Sequence, residues 1–244
     1  VMNKISAIYV SILALIVAVA ALVLCLVCCQ KNKPVSVEET LMNNPEIIVK
    51  ALQAQEQKMR DEAMKQAQAL IQDNMDEIVN AEGVGVIGNP EGTVTVVEFF
   101  DFSCHFCHRL YPALMSVVAN NPDVKVVLRE MTFLAPVSEY AARASLAAGE
   151  QGKYAEVYSA LMESEGSLTE AKVDELAVKA GVDLEKMKAD MNSEKISNLL
   201  KSTSELAQKL QINGVPTLII NGQIVQTLDE KVIQDQINQA KAAK

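Results

Sequence analysis

The hydrophobic pattern divides the chain into an apolar stretch, a long amphipathic stretch, and a region in which strand and helix patterns follow one another. Residues 5–29 are apolar almost without interruption, which is long enough to cross a bilayer. Because this run exceeds the usual length of a signal-peptide core, we expect residues 1–29 to form an uncleaved transmembrane anchor or signal-like segment. Residues 30–43 are polar and predict a tether.

Residues 44–81 show the spacing of an amphipathic helix. Asn44, Pro45 and Glu46 are a good N-cap residue, a residue favoured at the first helical position, and an acid in the first turn. A narrow apolar stripe follows at helical spacing, formed by Ile48, Leu52, Met59, Ala63, Leu70, Ile71, Met75 and Ile78. Such a helix cannot bury its stripe alone. It packs either on its own globular domain or, as we favour, on further copies of the chain as an oligomerisation region.

Glycine and proline separate this helix from a region with strand patterns. Residues 82–92 contain four glycines and a proline, and they predict a linker. Valines and phenylalanines in residues 93–100 predict a strand, and a helix pattern follows in residues 104–119. Residues 124–128 predict a second, buried strand, so that residues 93–136 form the first half of an α/β domain.

A long helical region and a final hairpin complete the pattern. Residues 137–210 predict only helices, which are broken at glycine-containing turns and form an inserted helical domain. In residues 211–244 a short apolar strand precedes the hairpin turn Asn221-Gly222, and a last helix follows. The predicted order is strand, helix, strand, helical insert, hairpin and helix.

Charge and cysteine usage limit the function of the chain. The net charge is −9 and no basic stripe appears, which argues against nucleic acid as a partner. Three of the five cysteines, Cys25, Cys28 and Cys29, lie in the apolar stretch, where we expect them to be small apolar residues. After residue 29 only Cys104 and Cys107 exist, so they pair with each other, bind a ligand or react.

Cys104 and Cys107 stand three residues apart at the predicted start of a helix. The unpaired N–H groups and the dipole of a helix favour a thiolate there, and the pKa of such a cysteine falls from about 8.5 into the range of roughly 3.5–7.5. A second thiol nearly one turn later can attack a mixed disulfide. This arrangement predicts Cys104 as the nucleophile and Cys107 as the resolving thiol. His105 lies between them, where its ring could favour the thiolate.

The same residues allow an interpretation of another class, a metal- or haem-binding protein. Residues 104–108 fit the C-x-x-C-H attachment pattern of c-type haem, and the cysteines with a histidine could also ligate zinc or copper. Ligands on one helical turn rarely complete a four-coordinate site unaided, and haem attachment does not explain the distant Val215-Pro216 pair. We therefore expect no cofactor and no metal. We expect His108 to be a packing or surface residue.

The strand, the CxxC helix and a distant Val-Pro pair before a short strand together resemble the thioredoxin fold. Plain thioredoxins lack the helical insert, so from about residue 93 to its end the chain resembles the DsbA family of extracytoplasmic thiol:disulfide oxidoreductases. The motifs that carry the resemblance are VEFFDFSC at residues 97–104, AARA at 141–144, QGKY at 151–154 and GVPT at 214–217. It implies a periplasmic or otherwise extracytoplasmic enzyme, tethered to the inner membrane by the N-terminal helix.

The resemblance also implies roles for single residues. Pro216 takes the family's cis-proline position facing the disulfide, and it and the open backbone of Val215 would receive a substrate chain. Phe106 would contact the substrate beside them. Glu98 falls where the family keeps a buried acid beneath the active site that relays a proton.

Departures from the family pattern leave the direction of the reaction open. The strongest oxidants of the family have Pro and then His between the cysteines, whereas this chain has His105 and Phe106. An aromatic residue before the second cysteine also occurs in disulfide isomerases, which are oligomers held by N-terminal segments. Residues 44–81 could supply such a segment, and the chain resembles oligomeric DsbA relatives of the ScsC type, which have a similar N-terminal helical region. Val215 instead resembles the DsbA type, because the isomerases tend to have Thr before the cis-proline.

These inferences predict an enzyme that introduces or rearranges disulfides in exported proteins. Its partners would be reduced or misoxidised exported proteins, the membrane through residues 5–29, and further copies of the chain through residues 44–81. An oxidase would need a DsbB-like reoxidase that returns Cys104 and Cys107 to the disulfide. An isomerase or reductase would instead need a DsbD-like reductase that keeps Cys104 free.

Overall fold

A computed structural model describes the backbone of residues 2–31, 36–80 and 82–242, and the side chains of residues 13–27, 36–80 and 82–242. The chain forms two compact units, residues 1–61 and 62–244. The first unit contains helices only, and the second contains all of the described strands.

The first unit contains helix α1 (Met2–Lys31), helix α2 (Val37–Asn43) and the beginning of helix α3 (Glu46–Asp73). Ser36 caps α2, since its side chain accepts a hydrogen bond from the N–H of Glu39 at 3.0 Å. Helix α3 begins at Glu46, one residue after the predicted first helical position, Pro45. Asn44, predicted as the N-cap of this helix, is instead the C-cap residue of α2, and its side-chain amide donates to the carbonyl of Thr40 at 2.8 Å. No residue between positions 36 and 61 is buried.

The predicted membrane anchor is not supported by the structure. Among the helices whose side chains are described, none is long and apolar enough to cross a membrane. The prediction covered residues 5–29, and the side chains of residues 5–12, 28 and 29 lie outside those described. Cys25 is an exposed free thiol, while Cys28 and Cys29 fall among the side chains that are not described.

A five-stranded sheet forms the centre of the second unit. Its strands are β1 (Gly85–Gly88), β2 (Val94–Phe100), β3 (Val124–Glu130), β4 (Thr217–Ile220) and β5 (Gln223–Val225). They lie in the order β1-β3-β2-β4-β5, with β2 and β3 parallel and the other neighbours antiparallel. The central strands β2 and β3 are buried almost throughout, as their dense valine and phenylalanine content predicts.

Helices cover both faces of this sheet. They are α4 (Met75–Val79), α5 (His105–Asn120), α6 (Pro136–Gly149), α7 (Tyr154–Met162), α8 (Glu170–Lys179), α9 (Leu184–Met191), α10 (Glu194–Lys209) and α11 (Glu230–Ala242). Helices α5 and α11 and most of the insert pack on one face, and α4 and α10 pack on the other. The order of strand, helix, strand, helical insert, hairpin and helix confirms the predicted α/β architecture.

The end of α3 and helix α4 belong to the core of the second unit. Ile71 and Ile78 are fully buried in the cluster that also contains Phe99 of β2. The side-chain nitrogens of Gln68 and Gln72 donate to the carbonyl oxygen of Gly222, in the β4–β5 hairpin, at 2.5 Å and 2.7 Å. The apolar stripe of residues 44–81 is therefore divided: its second half packs on the chain's own domain, while its first half stays exposed.

Residues 82–92 are more than the predicted linker, because they contain the edge strand β1, which pairs antiparallel with β3. The sequence does not indicate this strand because β1 begins and ends with glycine, and glycine weakens a strand pattern. Gly85 is needed sterically, because a Cβ there would lie 1.8 Å from Cζ of Tyr154. Gly88 has a φ of 79°, a conformation that favours glycine and ends the strand.

Alanine substitutions of single side chains should distinguish the two halves of α3. Ile71→Ala should lower the free energy of unfolding by about 2–5 kcal/mol, because it removes a fully buried side chain and leaves a cavity. Leu52→Ala should change it by about 0.5 kcal/mol or less, because Leu52 is exposed. Urea unfolding followed by tyrosine fluorescence reports on the second unit, which holds four of the five tyrosines. Equal effects of the two substitutions would contradict this division.

Candidate active site

Cys104 is the N-cap residue of α5, with φ −83° and ψ 112°. Its Sγ accepts a hydrogen bond from the backbone N–H of Cys107 at 3.3 Å. This is the role that a polar N-cap side chain fills at a helix start, here taken by sulfur. Both cysteines are buried free thiols. The structure thus places the pair at the first turn of the helix, as the sequence predicted.

The two thiols have opposite electrostatic environments. The pKa of Cys104 is lowered to about 6, chiefly by the hydrogen bond that the Cys107 thiol donates to it and then by backbone N–H groups, with burial opposing. The pKa of Cys107 is raised far above its ordinary value, because its proton is held by that same hydrogen bond and because it is buried. Cys104 is therefore the thiolate of the pair near neutral pH.

The chain from Gly214 to Thr217 lies against Cys104. The Val215–Pro216 peptide bond is cis, as the sequence analysis expected. Sγ of Cys104 lies 3.5 Å from the carbonyl oxygen of Val215, to which the thiol donates a hydrogen bond when it is protonated. A segment 111 positions away in the sequence thus forms one wall of the cysteine site.

Glu98 lies fully buried in the middle of β2. Its Oε2 accepts a hydrogen bond from the Tyr158 hydroxyl at 3.2 Å, while its Oε1 is buried without a hydrogen-bond partner. Burial raises the pKa of this carboxyl to about 8, and the neighbouring Cys104 adds to the increase. Glu98 can therefore hold a proton near neutral pH.

His105 and Phe106 lie on the exposed start of α5. Their rings are 5.8 Å apart, and the guanidinium of Arg109 lies 5.9 Å from the centroid of the Phe106 ring. In the described part of the chain no hydrogen bond joins His105 to either thiol. His105 thus follows Cys104 directly in the sequence, but its ring makes no hydrogen bond to the Cys104 sulfur.

His108 is a packing residue with two polar contacts. Its Nδ1 lies 2.8 Å from the carbonyl oxygen of Met162, and its Nε2 lies 2.8 Å from the carbonyl oxygen of Phe102. The ring thus joins α5 to the end of α7 and to the loop before Cys104, and both of its nitrogens are occupied. Among the described residues, no group of three or more His, Cys, Asp or Glu side chains could hold a metal ion.

Asp101 is a structural residue that the sequence analysis did not select. It is fully buried, and its carboxylate accepts hydrogen bonds from four donors at 2.7–3.2 Å. The donors are the N–H groups of Ser103, Phe133 and Leu134 and the hydroxyl of Ser138. Asp101 thereby ties the loop before Cys104 to the loop before α6. The sequence signal for this role is an acidic residue between two phenylalanines, since the apolar neighbours predict burial. A buried carboxylate needs hydrogen-bond donors around it.

Apolar side chains and a cavity surround the start of α5. Phe106, Phe133 and Leu134 are each about half exposed, at 53%, 53% and 46%. A cavity of about 480 Å³ opens at the start of α5, lined among others by Ser103, His105, Ser164 and residues 166–168. Exposed apolar groups next to a reactive thiol form a surface on which an unfolded chain can bind.

Comparison with known proteins identifies relatives of this domain. Residues 95–240, more than half of the chain, match the model of the DSBA-like thioredoxin domain. The crystal structure of a thioredoxin-like oxidoreductase from Silicibacter pomeroyi is 37% identical, with a TM-score of 0.66, and the match covers 69% of this chain and 98% of that one. Proteus mirabilis ScsC in a transitional conformation has a TM-score of 0.66 over 85% of this chain and 94% of that chain. At 24% identity it shows the fold alone.

Two curated relatives each match more than half of the chain. A probable disulfide bond formation protein D from Bacillus anthracis is 27% identical over 151 residues, covering 57% of this chain and 70% of that protein. A Na(+)/H(+) antiporter NhaA from Salinispora tropica is 29% identical over 139 residues, 56% of this chain. The match spans only 21% of the antiporter's length.

The hydrogen bond from Cys107 should control the ionisation of Cys104. In the unaltered chain, alkylation of Cys104 should reach half its maximal rate near pH 6 and slow as the pH falls through that value, because the thiolate reacts. Cys107→Ala removes the largest cause of the lowered pKa and should shift the midpoint upward by about one pH unit or more. Mass spectrometry of the Cys104 peptide gives the rate without interference from other thiols. An unchanged midpoint would contradict this assignment.

Proposed function

Because this chain belongs to the family of the DSBA-like thioredoxin domain and is a thiol:disulfide oxidoreductase, we propose that it exchanges disulfides with exported proteins through Cys104 and Cys107. The observation that carries this proposal is the inequality of the two thiols. One is a stabilised thiolate at a helix start and the other is a buried thiol that donates to it. Such a pair can form, open and re-form a disulfide.

The exchange proceeds in two displacements. A client thiolate attacks Sγ of Cys104 in the Cys104–Cys107 disulfide, and Sγ of Cys107 leaves with the bonding electrons and takes up a proton. A second client thiolate then attacks the client sulfur of the mixed disulfide and releases Cys104 as a thiolate. The client loses two electrons and the cysteine pair gains them. The low pKa of Cys104 makes it the better leaving group in the second step.

Oxidation is the direction that the site favours. Stabilising the Cys104 thiolate stabilises the reduced form of the pair, which makes its disulfide a stronger oxidant. In this direction a membrane reoxidase of the DsbB-like kind would restore the disulfide. A disulfide isomerase is the second candidate, supported by the exposed apolar stripe in the first half of α3, and it would depend on a DsbD-like reductase.

A client segment would lie on the surface formed by Val215, Pro216 and Phe106. Val215 offers backbone groups next to Cys104, and Pro216, which lacks an N–H, leaves that edge open. The half-exposed ring of Phe106 extends this surface on the side of α5. An extended, unfolded client fits such a surface better than a folded one, because its backbone groups are free to pair.

Glu98 would supply the proton that Cys107 takes up. Its carboxyl keeps a proton at neutral pH because it is buried, and its charge in turn raises the pKa of Cys107. The effect of the Glu98 charge on the pKa of Cys107 supports a short path between the two groups, along which a proton would pass directly or through water. His105 would act on Cys104 without a direct hydrogen bond, since none joins its ring to the thiol among the described contacts.

The chain would assemble through the exposed part of α3. Five large apolar side chains there are 42–60% exposed: Ile47, Ile48, Val49, Leu52 and Met59. Their removal from water would stabilise an association between helices. An extracytoplasmic location would follow from clients that are exported proteins, and disulfides persist in oxidising compartments.

Single cysteine substitutions test the exchange reaction. Cys104→Ser should lose insulin reduction and the refolding of a scrambled disulfide protein, by roughly a hundredfold or more, because the attacking sulfur is gone. Cys107→Ala should instead accumulate a covalent client adduct on Cys104, which non-reducing mass spectrometry detects. Cys25→Ser is the matched control and should keep full activity.

The outcome that contradicts the exchange reaction is Cys104→Ser with unchanged activity. The metal or haem alternative has its own readout. A Soret band, or metal in one-to-one amount in the purified protein, would support that alternative instead.

Charge placed on α3 tests the assembly. Leu52→Glu with Met59→Glu should lower the mass measured by light scattering to that of one chain, because both side chains are exposed and would face a partner helix. Ala54→Glu with Gln57→Glu is the matched control: it adds the same charge on the opposite side of the helix, at exposed positions, and should leave the mass unchanged. A single-chain mass for the unaltered protein would contradict the assembly.

A further inference from the structure

Two buried carboxyl groups project from the same face of the sheet. Glu98 of β2 lies opposite Leu128, and Glu130 of β3 lies opposite Phe100. Opposite residues of parallel strands share a face, so the two glutamates lie diagonally on neighbouring strands, with Cα atoms about 8 Å apart. Their exposed fractions are 0% and 3%. The proposed function gives a role to Glu98 only.

Two tyrosines of α7 hold these carboxyl groups. The Tyr158 hydroxyl donates to Oε2 of Glu98 at 3.2 Å, and the Tyr154 hydroxyl donates to Oε1 of Glu130 at 2.5 Å. The tyrosines are four positions apart on the helix, and their rings stack with centroids 6.3 Å apart at an interplanar angle of 10°. The four side chains therefore form one continuous buried group, which we call the Glu–Tyr cluster.

The edge strand β1 makes space for this cluster. A Cβ on Gly85 would lie 1.8 Å from Cζ and 2.2 Å from the hydroxyl oxygen of Tyr154. Only a glycine at this position lets the phenol pass over the strand and reach Glu130. The contact is therefore specified from two sides, by the hydrogen bond and by the absence of a side chain on β1.

The charges around the cluster do not neutralise it. From α5, Cys107 and Tyr111 face Tyr158, and neither is a cation. The Arg129 guanidinium donates to the carbonyls of Glu77 and Ile78, and it lowers the pKa of Glu130 only as a secondary effect. In the described part of the chain no cation hydrogen-bonds either carboxyl.

The two acids should therefore ionise one after the other. Burial raises the pKa of Glu130 to about 7 and that of Glu98 to about 8. Two like charges this close and this buried disfavour each other, so the first carboxylate to form raises the proton affinity of the second. Each tyrosine favours the charged form of its acid, but Tyr154 donates to Glu130 at 2.5 Å and Tyr158 donates to Glu98 at 3.2 Å. The shorter hydrogen bond makes Glu130 the first to ionise.

We propose that Glu130, fixed by Tyr154, is a positioning residue whose charge keeps Glu98 protonated until the Cys104–Cys107 disulfide opens. This inference rests on the proposed function. When a client thiolate breaks the disulfide, Sγ of Cys107 leaves with the electron pair and the Glu98 proton moves to it. Glu98 is left as a carboxylate and regains a proton from solvent. Glu130 exchanges no atom with the client.

The test follows the carboxyl groups directly by ¹³C NMR in the oxidised full chain, labelled at glutamate carboxyls and assigned with Glu98→Gln. In Glu130→Gln the Glu98 midpoint should fall by about half a pH unit or more, because the second charge is gone. In Tyr154→Phe the Glu130 midpoint should rise and the Glu98 midpoint should fall, because fewer Glu130 side chains are charged while Glu98 titrates. Gly85→Ala displaces the phenol and should act in the same direction.

Tyr140→Phe is the matched control. It removes a phenol that donates to Asp174 at 2.7 Å in the helical insert, so it should leave the Glu98 midpoint unchanged. The pH profile of client exchange supplies a second readout. Its upper limb, where Glu98 loses its proton, should move to lower pH in Glu130→Gln by the same amount as the NMR midpoint.

The inference is overturned if the Glu98 midpoint stays within about 0.2 pH unit of the unaltered protein in both Glu130→Gln and Tyr154→Phe. If Glu130→Gln or Tyr154→Phe does not fold, the Glu98 midpoint is measured in Gly85→Ala instead, which displaces Tyr154 but removes no titratable group. Because the titration needs no activity, its failure is separable from that of the proposed function. Exchange that no longer depends on Cys104 would overturn the function, whereas unmoved midpoints with Cys104-dependent exchange would overturn the inference alone.

Discussion

The active site depends on the hydrogen bonds that Cys104 accepts at the first turn of α5. The Cys107 thiol and the backbone N–H groups of residues 106 and 107 all stabilise negative charge on one sulfur. The same thiol-to-thiolate hydrogen bond holds the proton on Cys107. One interaction thus creates both the thiolate and its protonated partner, and other elements of the proposed site adjust the balance between them.

The helical insert contributes to the site as well as to the fold. Helix α7 supplies the tyrosine that donates to Glu98 beneath the cysteines, and its last carbonyl contacts His108. Asp101 joins the loop before Cys104 to the start of the insert at α6. These contacts relate the insert to the protonation and the position of the cysteine pair. A substitution in α7 can therefore alter redox behaviour without touching either sulfur.

The sequence predicts the elements whose signals are local. The helix start at Cys104 and the Asn221-Gly222 hairpin each depend on a few adjacent residues, and the structure contains both. The cis bond before Pro216, which the structure also contains, is expected only from the family resemblance. What the sequence does not reveal depends on distant partners. Tyr154 and Glu130 are 24 positions apart in the chain, and only the sheet register and the packing of α7 bring them together.

Strand β1 and helix α3 also depend on contacts that the sequence does not reveal. Gly85, one of the glycines that make the segment 82–92 resemble a linker, is the residue that lets β1 pass beneath Tyr154. The apolar stripe of α3 is uniform in sequence, yet Ile71 is buried and Leu52 is exposed. Periodicity indicates that a face is apolar, but burial depends on what packs against it.

The reduction potential of the Cys104–Cys107 pair tests the account most directly. It is measured by equilibrating the full chain with glutathione at pH 7 and counting alkylated thiols by mass. A stabilised Cys104 thiolate predicts a potential clearly above the value of about −270 mV found for thioredoxin. A potential at or below about −270 mV, or no exchange with glutathione at all, would contradict it.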